Sequence, residues 1–412
     1  MNEIETKPAT HGGPSRRDFM RGAAIVAAAA TMPSLAMAAA GGRMVAYAGG
    51  HSGNINRYNV NPDTGALTLI GQTECDTTAV WMATGPDGNV LYVCNVIPGP
   101  DAPHPEGKIT AYRINPENGD LTLINSMPSG GSNPAHLSVH PSGKWVFVAN
   151  YGAKGNAAGT VLAVNDDGSL GAVVDTVTIK TDPPKLGVTP AADAPPGSFA
   201  ISGHNMPHTH HFEADAAGNF AYLTDLATDR IYIFSFDVAS GKVTPTPQGA
   251  IVESDGAGPR TLAFHENGKW VYVSNEEAST VSLMMYDSAT GGLTHKQTLQ
   301  TLPEGFEGSN FVSYIQISPN GEYVWVLNRL HDSIAIFKIG SDGTLTLVND
   351  VWTRASYPFH LGVDPTGQFI YISHLRSDNI TTLKVVDGGA DFEMVGYNGI
   401  RKGRFVKVVA LG

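Results

Sequence analysis

Four residues of the sequence combine proton-transfer and anion-binding chemistry at related positions. His210 and Arg260 each lie eight residues before the glycine of a recurring turn. Glu276 and Arg329 each directly follow an asparagine that ends a short apolar strand. An imidazole and a carboxylate can exchange protons with a substrate, and two guanidinium groups suit a carboxylate or a developing oxyanion. We therefore take these four residues as the candidate catalytic group.

A structural interpretation of the same residues stays open. Arg260 and Glu276 could form an ion pair that only ties one strand to the next. His210 could be a turn residue with its hydrogen bonds satisfied locally. The elements that carry the four residues decide whether they can meet.

A repeat along the chain gives these residues a shared register. A glycine turn, an apolar or aromatic strand and a polar residue recur in that order six times, with the turn glycines at Gly88, Gly143, Gly218, Gly268, Gly321 and Gly367. A second unit of two short strands around another turn, such as TGALTLI and DGTLTLV, occurs seven times, the last copy being degraded near residues 388–395. Repetition of one β unit at this spacing is typical of a propeller.

The two ends of the chain supply the missing seventh copy of the first unit. Residues 405–410 resemble the strand before each glycine turn, and residues 44–47 resemble the strand after it. Joining them closes a ring and leaves few free sheet edges. The sequence thus predicts an all-β, seven-bladed β-propeller over residues 39–412, with one blade closed by the N- and C-terminal strands.

The polar residue that ends each repeated strand is expected to face one mouth of the central channel. These residues are Tyr47, Asn95, Asn150, Asp225, Asn275, Asn328 and His374. Asn150, Asn275 and Asn328, together with Tyr151 and His208, are the candidate substrate-binding residues, and Tyr151 could stack on a ring-shaped substrate. The alternatives are capping of strand ends by hydrogen bonds and, for Tyr151, simple packing.

A proline-rich insertion at residues 178–206 leads into a cluster of histidines, which are His204, His208, His210 and His211. As a loop on the active-site face it is predicted to form a partial lid, the alternative being a plain surface loop. Such histidine density suggests a metal. However, no carboxylate or cysteine has ligand spacing, and His210 and His211 point to opposite faces of a strand. No metal or other cofactor is predicted.

The first 38 residues have the features of a twin-arginine signal peptide. Arg16 and Arg17 precede Phe19, an alanine-rich apolar stretch follows, and residues 36–38 supply a signal-peptidase site. The domain boundaries are therefore predicted as 1–38 for the signal and 39–412 for a periplasmic propeller. The alternative is an unstructured cytoplasmic N-terminus.

The predicted mature chain is acidic, with 22 Lys and Arg, 35 Asp and Glu, and a net charge of −13. This charge argues against nucleic acid or an anionic membrane as a partner, and no later apolar run is long enough to span a bilayer. The expected partners are a small molecule and, for the precursor, the twin-arginine export machinery. Cys75 and Cys94 could pair after export or remain two small buried residues.

Four segments carry a resemblance to a known family: GPRTLAFHENGKWVYVSNEEASTV, PHTHHFEADAAGNFAYLTDLATDRIYIFSFD, NPAHLSVHPSGKWVFVANYG and VLNRLHDSIAIF. They resemble the lactonase family of seven-bladed propellers, which includes bacterial 6-phosphogluconolactonase of the propeller type and fungal carboxymuconate-lactonizing enzyme. The resemblance covers essentially the whole mature chain. It implies an active site of one histidine, two arginines and one glutamate, which correspond to His210, Arg260, Glu276 and Arg329.

Two segments depart from the family pattern. Residues 313–316 lack the acidic residue and the histidine that the family often has, and residues 357–360 lack a usual arginine. Tyr314, Gln316 and His360 stand at these positions, near the mouth, and are expected to alter the substrate. Export also argues against 6-phosphogluconolactone, a cytoplasmic sugar phosphate.

The predicted function is a periplasmic lactone hydrolase that acts on a sugar-acid or carboxylated lactone. General acid–base catalysis would come from His210 or Glu276, and anion binding from the two arginines. The alternatives are a lactonizing cycloisomerase of the carboxymuconate type and a non-catalytic periplasmic binding or scaffold propeller.

Overall fold

Seven four-stranded antiparallel sheets make up the described part of the chain. The computed structural model describes residues 42–75, 77–96, 106–152, 157–179, 190–202, 204 and 206–412. The predicted signal peptide therefore lies outside the described residues. We number the blades by their strands: β4–β7 form blade 1, and each following set of four strands forms the next, up to β24–β27 in blade 6. Blade 7 has the order β28-β1-β2-β3.

The strands are short and all belong to these sheets. In the first half of the chain they are β1 Met44–Gly50, β2 Asn54–Val60, β3 Leu67–Glu74, β4 Thr78–Thr84, β5 Val90–Val96, β6 Glu106–Ile114, β7 Leu121–Ser132, β8 Pro134–Val139, β9 Trp145–Asn150, β10 Ala157–Val164, β11 Leu170–Thr178, β12 Thr209–Ala214, β13 Phe220–Asp225, β14 Arg230–Asp237 and β15 Lys242–Val252. The remainder are β16 Pro259–Phe264, β17 Trp270–Asn275, β18 Thr280–Asp287, β19 Gly292–Gln300, β20 Val312–Ile317, β21 Tyr323–Asn328, β22 Ser333–Ile339, β23 Leu345–Trp352, β24 Pro358–Val363, β25 Phe369–His374, β26 Asn379–Val386, β27 Asp391–Gly399 and β28 Gly403–Ala410, with one 3₁₀ turn at Asp387–Gly389.

The predicted closure of the ring by the two termini is confirmed. Strand β28 pairs antiparallel with β1, from Met44 opposite Ala410 to Gly50 opposite Gly403. Strand β28 thus serves as the innermost strand of blade 7, and β1 as its second strand. A sheet assembled from both ends ties the last blade to the first without leaving an open edge between them.

The second strand of each blade is buried on both faces, because neighbouring blades cover it from either side. In β9, for example, every residue from Trp145 to Asn150 is buried. Such strands read as continuous apolar runs of Val, Phe, Tyr and Ala rather than as alternating ones, as expected for a strand covered on both faces. Phe147 is fully buried in this way, which contributes about 1.5–3 kcal/mol relative to leaving the ring exposed.

An aromatic residue on each second strand fastens its blade to the next one. In five blades a tyrosine hydroxyl donates to a glycine carbonyl in the outer turn of the following blade, through Tyr47, Tyr92, Tyr222, Tyr272 and Tyr371. In the other two, Trp145 and Trp325 donate their indole N–H groups instead. This overturns one expectation from the sequence. Tyr47 does not end its strand at the mouth but links blade 7 to blade 1 through its hydroxyl. Gly50 takes the strand-end position that corresponds to Asn95.

The two cysteines do not form a disulfide bond. The Cys75 thiol donates to the carbonyl of Thr77, at 3.1 Å. Cys94 is fully buried in β5, and burial raises the pKa of its thiol. The sequence left open either a disulfide bond or two small buried residues, and the second alternative is correct.

Candidate active site

A β-bulge at the start of each innermost strand turns one side chain toward the mouth of the channel. The pairing register skips one residue at the same point in all seven blades. The skipped residues, which we call the bulge ring, are Val80, Ala135, His210, Arg260, Ser313, Phe359 and Arg404. Bulges re-aim side chains in this way beside many active sites. The eight-residue register seen in the sequence is the signature of this bulge.

A second ring is formed by the residue that directly follows the strand-end position, which Asn95 occupies in blade 1 and Gly50 in blade 7. Its members are Val96, Tyr151, Leu226, Glu276, Arg329, Leu375 and His51. The start of an innermost strand and the end of its antiparallel neighbour lie at the same sheet edge. Both rings therefore surround one mouth. Blades 1 and 2 contribute mainly apolar groups to it, and the charged members of the two rings come from blades 4, 5 and 7.

Glu276 lies between the two predicted arginines. Its Oε2 is 2.7 Å from Arg260 Nε and its Oε1 is 2.6 Å from Arg329 Nη2. Ser202 from the insertion donates its hydroxyl to Oε1, at 3.1 Å. The exposed fractions of Arg260, Glu276 and Arg329 are only 1%, 7% and 7%. The ion pair suggested by the sequence exists, but it extends across two blades because Arg329 belongs to blade 5.

The charges of this triad balance only in part. Burial by itself would raise the pKa of Glu276, but Arg329 and Arg260 outweigh it and hold that pKa below its usual range. Burial lowers the pKa of Arg260 to about 10, against the opposing effect of Glu276. At neutral pH the triad therefore consists of one carboxylate and two guanidinium groups, with one positive charge in excess. Arg260 Nη1 is buried and has no hydrogen-bond partner among the described residues.

His210 is held neutral beside this charge. Burial is the largest cause that lowers its pKa well below the usual range, followed by the positive charges of Arg260 and Arg329. Its Nδ1 is buried and accepts or donates no hydrogen bond within the described chain. His210 is thus not a turn residue with its bonding satisfied. It is an imidazole with a free nitrogen, placed in the field of two guanidinium groups.

The other predicted binding residues divide into two groups. Tyr151 and His208 lie at the mouth beside His210, with their rings stacked at a centroid distance of 4.4 Å and Tyr151 edge-on to His210 at 6.2 Å. Asn150, Asn275 and Asn328 are buried, and each amide bonds to hydroxyl or amide groups near its own strand ends. Asn150 Oδ1 and Asn275 Oδ1 are buried and have no hydrogen-bond partner among the described residues. The substrate-binding role of the three asparagines stays a prediction.

The channel below the bulge ring is closed by aromatic and imidazole rings. Trp81 lies in its centre and contacts His136, Tyr314, His360 and Phe405, at centroid distances from 4.5 to 5.8 Å. Tyr314 and His360, which the sequence placed near the mouth, lie in this plug, one residue beyond the bulge. The plug forms the floor of the site, so a ligand at the mouth enters and leaves on that side.

The described part of the insertion lies against the mouth, as predicted for a loop of that face. Besides the contact of Ser202 with Glu276, the Ser202 backbone N–H donates to Glu277 Oε1 at 2.6 Å. His204 Nε2 lies 3.1 and 3.0 Å from the two oxygens of the same carboxylate. Residues 180–189, 203 and 205 lie outside the described residues. We call the contact of His204 with the Glu277 carboxylate the His204 clasp. It anchors the loop at the point where Ser202 contacts Glu276 of the triad.

The His204 clasp predicts a pH-dependent contribution to stability. The hydrogen bond to Glu277 is the main cause that raises the His204 pKa to about 9, above its ordinary value of 6.5. A pKa that is higher in the folded state stabilises fully below the unfolded pKa and loses its effect as pH rises through the folded pKa. We expect the wild type to be more stable than His204→Asn at pH 6, with the difference fading by pH 9.5. Urea unfolding at both pH values measures it.

The exposed histidine on β19 offers a matched control for the clasp. His295→Asn changes the same residue type at an exposed position where the ring hydrogen-bonds to the Thr298 hydroxyl and to no carboxylate among the described residues. The difference in unfolding free energy between His295→Asn and wild type should be the same at pH 6 and at pH 9.5. A stability difference for His204→Asn that is the same at pH 6 and pH 9.5 would contradict the clasp.

Four residues of the mouth were missed by sequence reasoning. Phe359 and Arg404 belong to the bulge ring, and Phe359 lies eight residues before Gly367, so the register would have identified it. The count of eight residues to a turn glycine could not identify Arg404, because its blade is split between the chain ends. Tyr357 and Arg376 lie beside them and contact each other, with the guanidinium carbon 4.3 Å from the ring centroid.

No group of three or more His, Cys, Asp and Glu side chains within the described ranges is arranged to hold a metal ion. The clustered histidines instead separate. His211 stacks against His136 in the channel, at 3.9 Å, while His210 turns to the mouth and His204 to Glu277. The predicted opposite orientation of His210 and His211 accounts for this separation.

Comparison with known proteins identifies the family. The family model described as "Lactonase, 7-bladed beta-propeller" matches residues 42–396. The chain belongs to this lactonase family. A second model, for the twin-arginine translocation signal sequence, matches residues 13–33. This lactonase is therefore a periplasmic protein that is exported by the twin-arginine pathway. No helix in the described residues has the length and apolar character needed to cross a membrane.

Curated relatives of this lactonase include two bacterial proteins named 6-phosphogluconolactonase. That of Bacillus subtilis is 28% identical over 335 residues, which cover 81% of this chain and 88% of the relative. That of Formosa agariphila is 28% identical over 364 residues, covering 84% and 96%. Among solved structures, a periplasmic gluconolactonase of Pseudomonas aeruginosa aligns with a TM-score of 0.79 at 21% identity, covering 90% of this chain and all of that one. The structural likeness supports the propeller fold.

Proposed function

We propose that this lactonase hydrolyses a sugar-acid or carboxylated lactone in the periplasm. The observation that carries the proposal is the buried Arg260–Glu276–Arg329 triad at the mouth, next to the neutral His210. The names of the relatives, 6-phosphogluconolactonase and gluconolactonase, agree with a lactone as substrate. Export argues against the phosphorylated lactone of the cytoplasm itself.

In this proposal the two arginines stabilise negative charge on the substrate. Arg260 Nη1 is a buried donor without a partner, and a buried unsatisfied donor costs about 1–3 kcal/mol. A carbonyl oxygen placed there would gain a hydrogen bond that strengthens as the oxygen becomes an oxyanion. Arg329 would hold the same oxygen or a carboxylate beside it.

Glu276 is assigned a positioning role rather than that of the base. Both of its oxygens are engaged, by Arg260 on one side and by Arg329 and Ser202 on the other. Its lowered pKa also makes it a weak proton acceptor. It would fix the two guanidinium groups at the separation that the reacting carbonyl needs, and keep them from repelling each other.

We assign the proton transfers to His210, one of the two candidates that the sequence left open. Its neutral imidazole would take a proton from water as the water oxygen attacks the lactone carbonyl carbon. The C–O bond of the ring then breaks, and the imidazolium returns the proton to the leaving alkoxide. The product is the open hydroxy acid, with one water consumed. Tyr151 and His208 would form the wall against which the sugar ring packs.

The proposed function is tested with a panel of lactones. Purified mature protein is assayed against aldono-lactones and aromatic-acid lactones by pH-stat, because every hydrolysis releases acid. Each lactone is measured with and without a chelator. Catalysed acid release from an aldono-lactone is the expected result. Saturable binding of the lactones without acid release would instead identify a binding or scaffold propeller, and would overturn the proposal.

A further inference from the structure

The insertion between blades 2 and 3 is fastened to the connection between blades 3 and 4. The hydroxyl of Ser254, which lies in that connection, donates to Asp193 Oδ2 at 2.6 Å. Ala191 packs in a small buried apolar cluster with Ala257 and Ala278. These contacts give the first part of residues 190–202 fixed partners in blade 4 and in the connection before it.

The same stretch is also fastened to the connection between blades 4 and 5. The backbone N–H of Gly308 donates to the Pro196 carbonyl at 2.8 Å. The backbone N–H of Phe199 donates to the Ser309 hydroxyl at 2.5 Å. Ala200 follows and is fully buried. The chain therefore approaches the triad as a segment that is held on both sides of blade 4.

Ser202, at the end of this segment, bridges two adjacent carboxylates that follow β17. Its hydroxyl donates to Glu276 Oε1 at 3.1 Å, and its backbone N–H donates to Glu277 Oε1 at 2.6 Å. The His204 clasp places a positive imidazolium on Glu277, since the hydrogen bond between them raises the His204 pKa to about 9. The backbone contact and the clasp thus fix the place from which the Ser202 hydroxyl donates to the triad.

Ser202 and Arg329 share one oxygen of Glu276. Arg329 Nη2 lies 2.6 Å from Oε1, and Arg260 Nε lies 2.7 Å from Oε2 on the other side. A carboxylate oxygen accepts about two hydrogen bonds, so the Ser202 hydroxyl completes those of Oε1. Because the last torsion of a glutamate side chain has broad minima, contacts at both oxygens decide how the carboxylate plane is turned. That plane in turn sets the direction of the Arg329 guanidinium.

We propose that Ser202 is a positioning residue of the active site, and that the insertion completes this site by presenting it. Ser202 acts through Glu276, whose orientation it fixes, and so on the alignment of Arg329 with the reacting carbonyl. It does not need to touch the substrate. This inference rests on the proposed lactone hydrolysis and adds to it a residue that lies outside the repeated blades.

Ser202→Ala tests the role by kinetics. We expect kcat for an aldono-lactone to fall about tenfold, the size expected for one hydrogen bond to a charged group. KM should change little, because misaligned arginines lose most when the carbonyl oxygen becomes an oxyanion. Ser202→Thr keeps the hydroxyl and the backbone contact, and should keep most of the wild-type kcat. A wild-type kcat in Ser202→Ala, or an equal loss in Ser202→Thr, would overturn the role.

Ser254→Ala is the matched control from the same insertion contact. It removes a hydroxyl that holds Asp193 of the insertion and is not bonded to the triad. Both alanine variants should lose some unfolding free energy, measured in urea, but Ser254→Ala should keep the wild-type kcat. Loss of kcat in Ser254→Ala as large as in Ser202→Ala would show that only the stability of the insertion matters, and would overturn the role of Ser202.

A binding measurement separates this inference from the proposed function. Calorimetric titration with D-gluconate needs no turnover, and its carboxylate carries negative charge to the arginines as the oxyanion would. Ser202→Ala should bind D-gluconate several-fold more weakly than wild type, Ser202→Thr and Ser254→Ala. That result without hydrolysis of any lactone would overturn the proposed function but support the positioning of the triad by Ser202. Equal affinity in Ser202→Ala and Ser254→Ala would overturn the positioning role, whether or not lactones are hydrolysed.

Discussion

Replacing Arg260 with alanine is expected to lower kcat for lactone hydrolysis by about 10²–10³-fold, the loss found when one oxyanion donor is removed. Arg260 is almost completely buried and has a guanidinium nitrogen that nothing in the described chain occupies. The stabilisation should appear in the transition state, so kcat should fall much more than KM rises. Initial rates by pH-stat over a range of lactone concentrations measure both.

Loss of structure is separated from loss of chemistry in two ways. Arg260→Ala leaves a cavity of guanidinium shape, so added guanidinium at millimolar concentration should restore part of the rate. Arg57→Ala removes an arginine that pairs with Asp120, on strand β2 and away from the mouth, and should keep its rate. An Arg260→Ala protein that hydrolyses lactones as fast as wild type would contradict the assignment.

Replacing His210 with glutamine is expected to lower kcat by about 10²–10⁴-fold, the usual range for a general acid–base group. The variant keeps a polar side chain in the bulge but cannot carry the proton. Its control is His140→Gln. That buried histidine bonds to Ser142 and to the Gly218 carbonyl in the turn at the opposite edge of the blades. His140→Gln should lose stability without losing the proton-transfer step.

The pH dependence of the wild type gives an independent measure of His210. Because burial and the two arginines hold its pKa well below the usual range, the acid limb of kcat/KM should lie well below pH 6.5. An anionic substrate opposes the arginine charges, so the limb of kcat, which reports the bound enzyme, should lie at higher pH. Coincident acid limbs at pH 6.5 would argue that His210 is not the base.

The propeller was predictable because its determinants are local and repeated. The turn glycines, such as Gly218 with a φ of 73°, adopt a conformation that few other residues tolerate, and they recur with the strand that follows. Closure by β28 and β1 followed from counting the copies. Tyr47 was misplaced by three residues because its strand lacks a polar end, and the inter-blade hydrogen bond that identifies it joins residues far apart in sequence.

The site was predictable where one register repeats and not where several blades meet. Equal spacing brought His210 and Arg260 together, although the reason, a bulge, is visible only in the strand pairing. That Glu276 would pair with Arg329 across blades depends on how neighbouring blades pack. Tyr357 and Arg376 were not predicted, because their contact joins the connection before β24 to the connection after β25, and nothing in either segment alone indicates it. The channel plug around Trp81 likewise arises from the joint packing of several blades.

Glu276 offers the most direct test of the central claim, that the triad performs hydrolysis and is more than an ion pair between strands. The measurement is the pH-stat rate of Glu276→Gln, read with its unfolding free energy and compared with Glu253→Gln, a buried carboxylate between blades 3 and 4 that bonds to Ser282. Glu276→Gln is expected to be less stable, whereas Glu253→Gln is not, because burial already raises the pKa of Glu253 to about 7 and so favours its neutral form. We predict that only Glu276→Gln loses hydrolysis, by more than tenfold in correctly folded protein. A folded Glu276→Gln protein with the wild-type rate would show that the triad is structural and contradict the account.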